Sequence, residues 1–220
     1  LCLALPGLQK PVIVTGSMLP LTVPENDGHD NLIAALAVAR TAAPGVWVQF
    51  GGRLLHGARV RKSHSQAFDA FDAAASDVAP RVPANQPALT PVTAHEVGIL
   101  SVAPGGAAKL FAQAADSCDG LVLRCFGSGT APDTPELRAA LQAAFDRQVP
   151  VLAVSQCPEG GMRLGTYAAG QGLRQTGVID GRDMTVEMAF AKMQFALSLA
   201  PDFETRRQYL SHSQCGEMQL

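Results

Sequence analysis

A two-part α/β chain is the fold class this sequence predicts, and three observations predict it. Short apolar, β-branched runs at residues 12–14, 121–125 and 151–155 end directly in small-residue loops, the pattern of buried parallel strands that leave from their C-terminal ends. Segments of helical periodicity at 107–115 and 135–147 separate the later runs, so strands and helices alternate as they do in parallel-sheet domains. Between the two parts, Pro80, Pro83, Pro87 and Pro91 fall in a run without apolar periodicity, which reads as an extended linker over 77–95 dividing a first part, 1–76, from a second, 96–220.

Taken in order, Lys10-Pro11 leads into the first strand, which stops at Thr15-Gly16-Ser17. After a Pro-rich acidic loop, Asp30 is expected to cap a helix from 31 to about 42, with Leu32, Leu36 and Ala39 on one face. Gly45 breaks to a strand at 46–50, and Gly51-Gly52 between two apolar runs is a hairpin signal that returns the chain antiparallel into a loop around Lys62. Beyond the linker come a strand at 99–102, a helix at 107–115, a strand at 121–125, a helix at 135–147 with Pro135 suited to its first turn, a strand at 151–155 and a last long helix at 185–199.

Composition excludes several classes. With 17 basic and 19 acidic residues and 5% aromatics, the chain lacks the positive charge and the stacking platforms of a nucleic-acid binder. Five cysteines without a C-x-x-C pair indicate neither a disulfide framework nor a zinc knuckle and fit a reducing cytoplasm. The opening LCLALPGL is broken by Pro6, too short to span a membrane and without a basic lead, so no membrane partner is expected. No G-x-S-x-G elbow, P-loop or H-E-x-x-H occurs, and no metal or cofactor is expected. Gly170-Gln171-Gly172 follows no strand run, so it is not a dinucleotide fingerprint.

The residues that point to chemistry lie at 58–71, ARVRKSHSQAFDAF, where Lys62 stands among Ser63, His64 and Ser65 with Arg59 and Arg61 before it and Phe68 and Phe71 after. An ammonium near other cations in a partly desolvated cleft has its charged form disfavoured and can exchange a proton with a hydroxyl nucleophile; the same spacing also describes a solvated basic patch. A Ser-His-Asp set could be drawn from Ser17 or Ser65, His64 and Asp69. Small polar ligands are the natural guests of the loops 15–17, 126–130 and 155–157, each directly after a strand.

Five segments in this order, KPVIVTGSM (10–18), NDGHDNL (26–32), GVWVQFGGRLLHGARVRKSHSQAFDAF (45–71), GSGTAP (127–132) and GVIDGRDMTVEMAFAKM (177–193), resemble the bacterial-type L-asparaginase family in its cytoplasmic, type I branch. The resemblance implies a two-domain α/β enzyme that converts L-asparagine and water to L-aspartate and ammonia through a threonine nucleophile and an acyl-enzyme. It implies no cofactor, and a homodimer or homotetramer. It places the family's proton-transferring lysine on Lys62, a main-chain carbonyl that holds the substrate amide at Ser17, and a contact to a neighbouring subunit's site at Gly127, Ser128 and Thr130. Residues 1–76 would then be the end of the larger domain and 96–220 the smaller one.

The chain also departs from that pattern. The family's T-G-G-T-I and G-T-D-T motifs, which carry the nucleophile and the rest of the triad, are absent from residues 1–220; the resemblance puts them ahead of Leu1, and the chain alone is expected to be inactive. Thr130 stands where the branch usually has asparagine, and Arg61 and Cys157 stand at the positions of an allosteric asparagine site known in some members. Two alternatives remain open: the asparaginase-like subunit of a tRNA-dependent amidotransferase, which shares D-M-x-x-E at 183–187, and a non-catalytic remnant that binds a small ligand.

Overall fold

The computed structural model describes residues 1–106, 108–166 and 168–219, so Ala107, the first residue of one expected helix, lies outside the described residues. The chain divides into two units, Leu1–Thr90 with Gln214–Glu217, and Pro91–Ser213 with the residues from Met218.

In the first unit, β1 (Pro11–Val14) and β2 (Gly45–Phe50) pair in parallel, Pro11 opposite Gly45 and Val14 opposite Val48, with α1 (Gly28–Val38) as the crossover. The expected hairpin follows. Gly51 and Gly52 have φ of +54° and +76°, the two successive positive values that a tight hairpin turn requires, and β3 (Arg53–His56) returns antiparallel with Phe50 opposite Arg53. A second ribbon joins β4 (Val60–Lys62) to β5 (Phe71–Ala73), Lys62 opposite Phe71. Lys62 therefore ends a strand and does not sit in the loop expected from its polar neighbours, because the turn at 63–70 is closed by Ser63 and His64 N–H groups that both donate to the Ala70 carbonyl.

Two further expectations are corrected here. The helix begins at Gly28, with Asp27 and not Asp30 at its cap position; the Asp27 side chain makes no capping bond because it is committed elsewhere. Gly28, Asn31 and Ala35 are its buried residues, and Leu32 and Leu36, expected to share one face with Ala39, are exposed. The proline-rich stretch is extended, but through Thr90 it is fixed to the first unit: Val46 N–H donates to the Pro80 carbonyl (3.0 Å), Gly7 to Val82 (2.9 Å), Ala88 to Pro6 (3.1 Å) and Thr90 to Ala4 (2.8 Å). Prolines lack a donor but keep an acceptor, and that acceptor is what the neighbouring backbone uses.

The second unit carries a four-stranded parallel sheet in sequential order, β6 (Val97–Ser101), β7 (Gly120–Cys125), β8 (Val151–Ser155) and β9 (Ile179–Asp180). The helices α2 (Ala108–Ser117) and α3 (Pro135–Asp146) cover one face, burying Phe111, Leu121, Leu123, Leu137, Leu141 and Ala153 together. On β7 and β8 also packs α5 (Val186–Leu199), whose Ala189, Met193 and Ala196 are wholly buried. Side-chain caps start these helices as the sequence chemistry demands: Thr134 accepts from Leu137 N–H ahead of Pro135, and Thr185 from Met188 N–H, each at 3.2 Å. Two helices were not anticipated, α4 (Ala168–Gln175), which contains Gly170 and Gly172, and α6 (Phe203–Ser211). Lys192 on α5 is fully buried, and its ammonium donates to the Leu210 and His212 carbonyls at the C-terminal end of α6, at 3.1 and 2.6 Å. No helix among the described residues is long and apolar enough to cross a membrane.

Candidate active site

Parallel pairing of β1 and β2 brings the loop after β1 beside the hairpin, and a small polar network fixes it there. The Asp27 carboxylate accepts from Met18 N–H (2.9 and 3.0 Å), Leu19 N–H (3.2 Å) and the Asn31 side-chain amide (3.0 Å). Asn31, 4% exposed, donates to the Gly16 carbonyl at 3.0 Å and accepts from Gly51 N–H at 3.1 Å; the Thr15 hydroxyl donates to the Gln49 carbonyl at 2.8 Å. Partial burial works against the Asp27 charge, but the Met18 and Leu19 N–H groups and Asn31 outweigh it and hold its pKa below the ordinary carboxylate value. The result is a preset backbone at 15–19 with the Ser17 side chain exposed.

From that loop a line of contacts leads to the lysine. Gly16 has only the Phe50 ring edge near its missing Cβ, at 3.9 Å. Phe50 meets Phe71 edge to face, with ring centroids 4.8 Å apart, and the Lys62 ammonium lies over the Phe71 ring at 5.7 Å. Ser17 and Lys62 thus flank one aromatic pair within the first unit. The electrostatic setting differs from that expected: Lys62 is exposed, Arg59 is 2% exposed and donates to the Ala74 and Gly216 carbonyls, and Arg61 faces Asp72 at 3.9 Å. Neither arginine crowds the ammonium with uncompensated charge. What remains for Lys62 is a cation on an aromatic face, worth about 0.5–1 kcal/mol of positioning when exposed.

The Ser-His-Asp arrangement does not form. His64 Nδ1 accepts from Gln66 and Ala67 N–H, at 3.1 and 2.9 Å, so the ring cannot donate from that nitrogen to an aspartate, and the Ser63 hydroxyl donates to the Ala70 carbonyl.

In the second unit the loops after β7 and β8 are tied together at the C-terminal edge of the sheet, where α/β ligand sites lie. Phe126 and Thr130 close a turn through two backbone bonds, with Gly127 and Gly129 at positive φ. The Ser155 hydroxyl donates to the Gly127 carbonyl (2.6 Å) and accepts from Cys157 N–H (2.9 Å), and Gln156 donates to the Val102 and Arg124 carbonyls, each at 2.9 Å. Gly127, Ser128, Thr130 and Cys157 are therefore neighbours on one edge, whereas Arg61 belongs to the first unit. Gly170 follows the same logic: a Cβ there would lie 2.7 Å from the Gly129 carbonyl, so α4 uses a glycine to lie against this loop. At the opposite edge, a cavity of about 370 Å³ is lined by His95, Asp116, Asp119 and Arg147 among others, but Arg147 pairs with Asp116 and His95 with Asp119.

Residues 1–90 match the family described as "Asparaginase, N-terminal", and residues 96–210 match "Glutaminase/Asparaginase C-terminal domain". The chain belongs to the asparaginase family. It is 36% identical to L-asparaginase 1 of Escherichia coli K12 over 97% of this chain and 68% of that protein. Among solved structures, the thermostable L-asparaginase from Thermococcus kodakarensis superposes with a TM-score of 0.91 at 30% identity, and L-asparaginase I from Vibrio cholerae with 0.87 at 34%; each match covers 99% of this chain and 70% of the other. These likenesses establish the asparaginase-like α/β fold. The Asp27 and Asn31 clamp is the family member's feature that pattern reading missed; its only sequence signal is the density of Asn and Asp in N-D-G-H-D-N, directly after the loop they hold.

Proposed function

We propose that this chain supplies the lysine and the substrate-positioning loop of an enzyme that hydrolyses L-asparagine to L-aspartate and ammonia. The observation that carries the reading is the arrangement of the first unit inside an asparaginase-family chain: a clamped 15–19 backbone and Lys62 on either side of Phe50 and Phe71. In this reading the main chain at Ser17 orients the side-chain amide. Lys62 exchanges a proton with a threonine nucleophile, which forms the acyl-enzyme that water then cleaves. Gly127, Ser128 and Thr130 complete the site of a neighbouring subunit in a cytoplasmic homodimer or homotetramer, and Arg61 and Cys157 are the positions at which a second asparagine would be read. Residues 1–76 form the part of the larger domain that carries the lysine, and 96–220 the smaller domain. No observation favours the amidotransferase or the non-catalytic reading over this one.

The nucleophile needs a glycine-rich threonine motif that residues 1–220 do not contain. A coupled ammonia assay tests this: 1–220 alone is expected to release none, whereas co-expression with the T-G-G-T-I and G-T-D-T part of a type I asparaginase restores turnover. Lys62→Met then lowers kcat by about 100-fold. A few-fold change would make Lys62 a surface cation, and turnover by 1–220 alone would move the nucleophile to Ser17, Ser63 or Ser65. Sedimentation of a fully active monomer would remove the shared-site assignment.

A further inference from the structure

Two of the five cysteines face each other inside the first unit, far from the residues of the proposed reaction. Cys2 and Cys215 are free, 5% and 0% exposed, and joined by a hydrogen bond between their side chains. Each is held from its own side. The Cys2 sulfur lies 3.3 Å from where Gly57 would carry a Cβ, and Gly57 is fixed to the Val46 carbonyl of β2. Around Cys215, the Glu217 carboxylate accepts the Cys215 N–H at 2.8 Å and the Gln214 N–H at 2.9 Å. The Gly216 carbonyl accepts from buried Arg59 at 3.3 Å. Gly216 itself has a φ of +74°, with the Val78 carbonyl 2.8 Å from its missing Cβ, a conformation and a space that only glycine fits. The tail is therefore seated in a defined register, sulfur opposite sulfur. Among the described residues no group of three or more His, Cys, Asp or Glu can hold a metal ion, so the pair is not part of a metal site.

We propose that Cys2 and Cys215 are a redox pair that closes to a reversible disulfide when the protein meets a peroxide. The Cys2 thiolate attacks one peroxide oxygen, the O–O bond breaks, water leaves, and a sulfenic acid forms on Cys2. The Cys215 sulfur then displaces the sulfenic oxygen as a second water, so two thiols and one hydrogen peroxide give one disulfide and two waters. The order follows from the hydrogen bond: accepting from Cys215 draws Cys2 below the ordinary thiol value despite its burial, and the same bond with burial pushes Cys215 up. Because both sulfurs are buried, the oxidant enters when 214–217 lifts, and closure then holds that segment to the first unit. Of the other cysteines, burial pushes Cys125 up to about 12, and Cys157 is exposed.

The test uses the whole chain in a Cys157→Ser background, treated while folded with hydrogen peroxide, alkylated and digested with trypsin. One disulfide-linked pair, peptides 1–40 and 208–220, is expected, since Lys10 precedes Pro11 and is not cleaved; two of the remaining thiols disappear together, and dithiothreitol restores both. Cys2→Ser and Cys215→Ser each abolish the linked pair, and the parent map stands alone if either variant fails to fold. Recovery of Cys2 and Cys215 as separately alkylated or separately over-oxidised residues, or linked to Cys118 or Cys125, overturns the proposal.

Discussion

Replacing Asp27 by alanine removes the acceptor for Met18 N–H, Leu19 N–H and the Asn31 amide at one stroke. Hydrogen bonds to a charged partner contribute about 1.5–3 kcal/mol each where water is excluded. The loop is half exposed, so water replaces part of that loss, and a net cost of about 2 kcal/mol is expected for opening residues 15–19. An energy of that size raises the open population about 30-fold. Amide hydrogen exchange at Met18 and Leu19 should therefore accelerate by about that factor in Asp27→Ala, with a smaller change at β7 and β8 in the other unit. The pH dependence has a definite sign. Asp27 has a folded pKa below its unfolded value near 3.8, so its contribution is complete above that value and is lost as pH falls through the lower folded pKa. Equal exchange at Met18 and Leu19 in parent and variant at neutral pH would refute the clamp as the element that presets this backbone.

Burial pushes His56 below its ordinary value of 6.5, against the opposing bond to the Val78 carbonyl. The folded state then binds fewer protons, so its stability falls as pH drops below about 6.5; urea midpoints at pH 7.5 and 5.5 should converge in His56→Phe, and parallel curves would contradict this. Gly170→Ala should destabilise by about 1–2 kcal/mol although alanine is the better helix former, because its Cβ meets the Gly129 backbone; a gain in thermal stability would mean that α4 does not lie on that loop. Lys192→Met keeps the buried hydrocarbon but strips the donor from the Leu210 and His212 carbonyls, and a cost of about 2–4 kcal/mol is expected in urea unfolding. An unchanged midpoint would remove Lys192 as the tie at the end of α6.

The elements that periodicity and local chemistry determine were legible in the sequence: the Gly51-Gly52 turn, Thr134-Pro135 at a helix start, and the β-branched runs of β7 and β8. Those that depend on partners distant in sequence were not. In α4 two glycines hide a helix whose reason is close packing on Gly129, and α6 buries only Leu210, so it has no stripe to read. The hydrophobic face of α1 pointed the wrong way because Asn31, a polar residue, is the buried one, and it is buried to bond Gly16 and Gly51. Lys62 was legible as the residue of interest through its motif. Its surroundings were not, since the arginines beside it in sequence turn to Asp72 and to the Gly216 carbonyl.

Residues Gln214–Glu217 belong with Leu1–Thr90, and everything from Pro91 to Ser213 belongs to the other unit. On the ribosome, that interruption becomes a delay. At about 5–20 residues per second the intervening stretch takes roughly 6–25 s to make. Throughout that time Arg59 waits for the carbonyl of Gly216, and the groove beside Val78 stays open. The sheet and helices of the later unit are contiguous from β6 to α6 and have nothing to wait for. The part of the chain synthesised first is thus the part that finishes folding last.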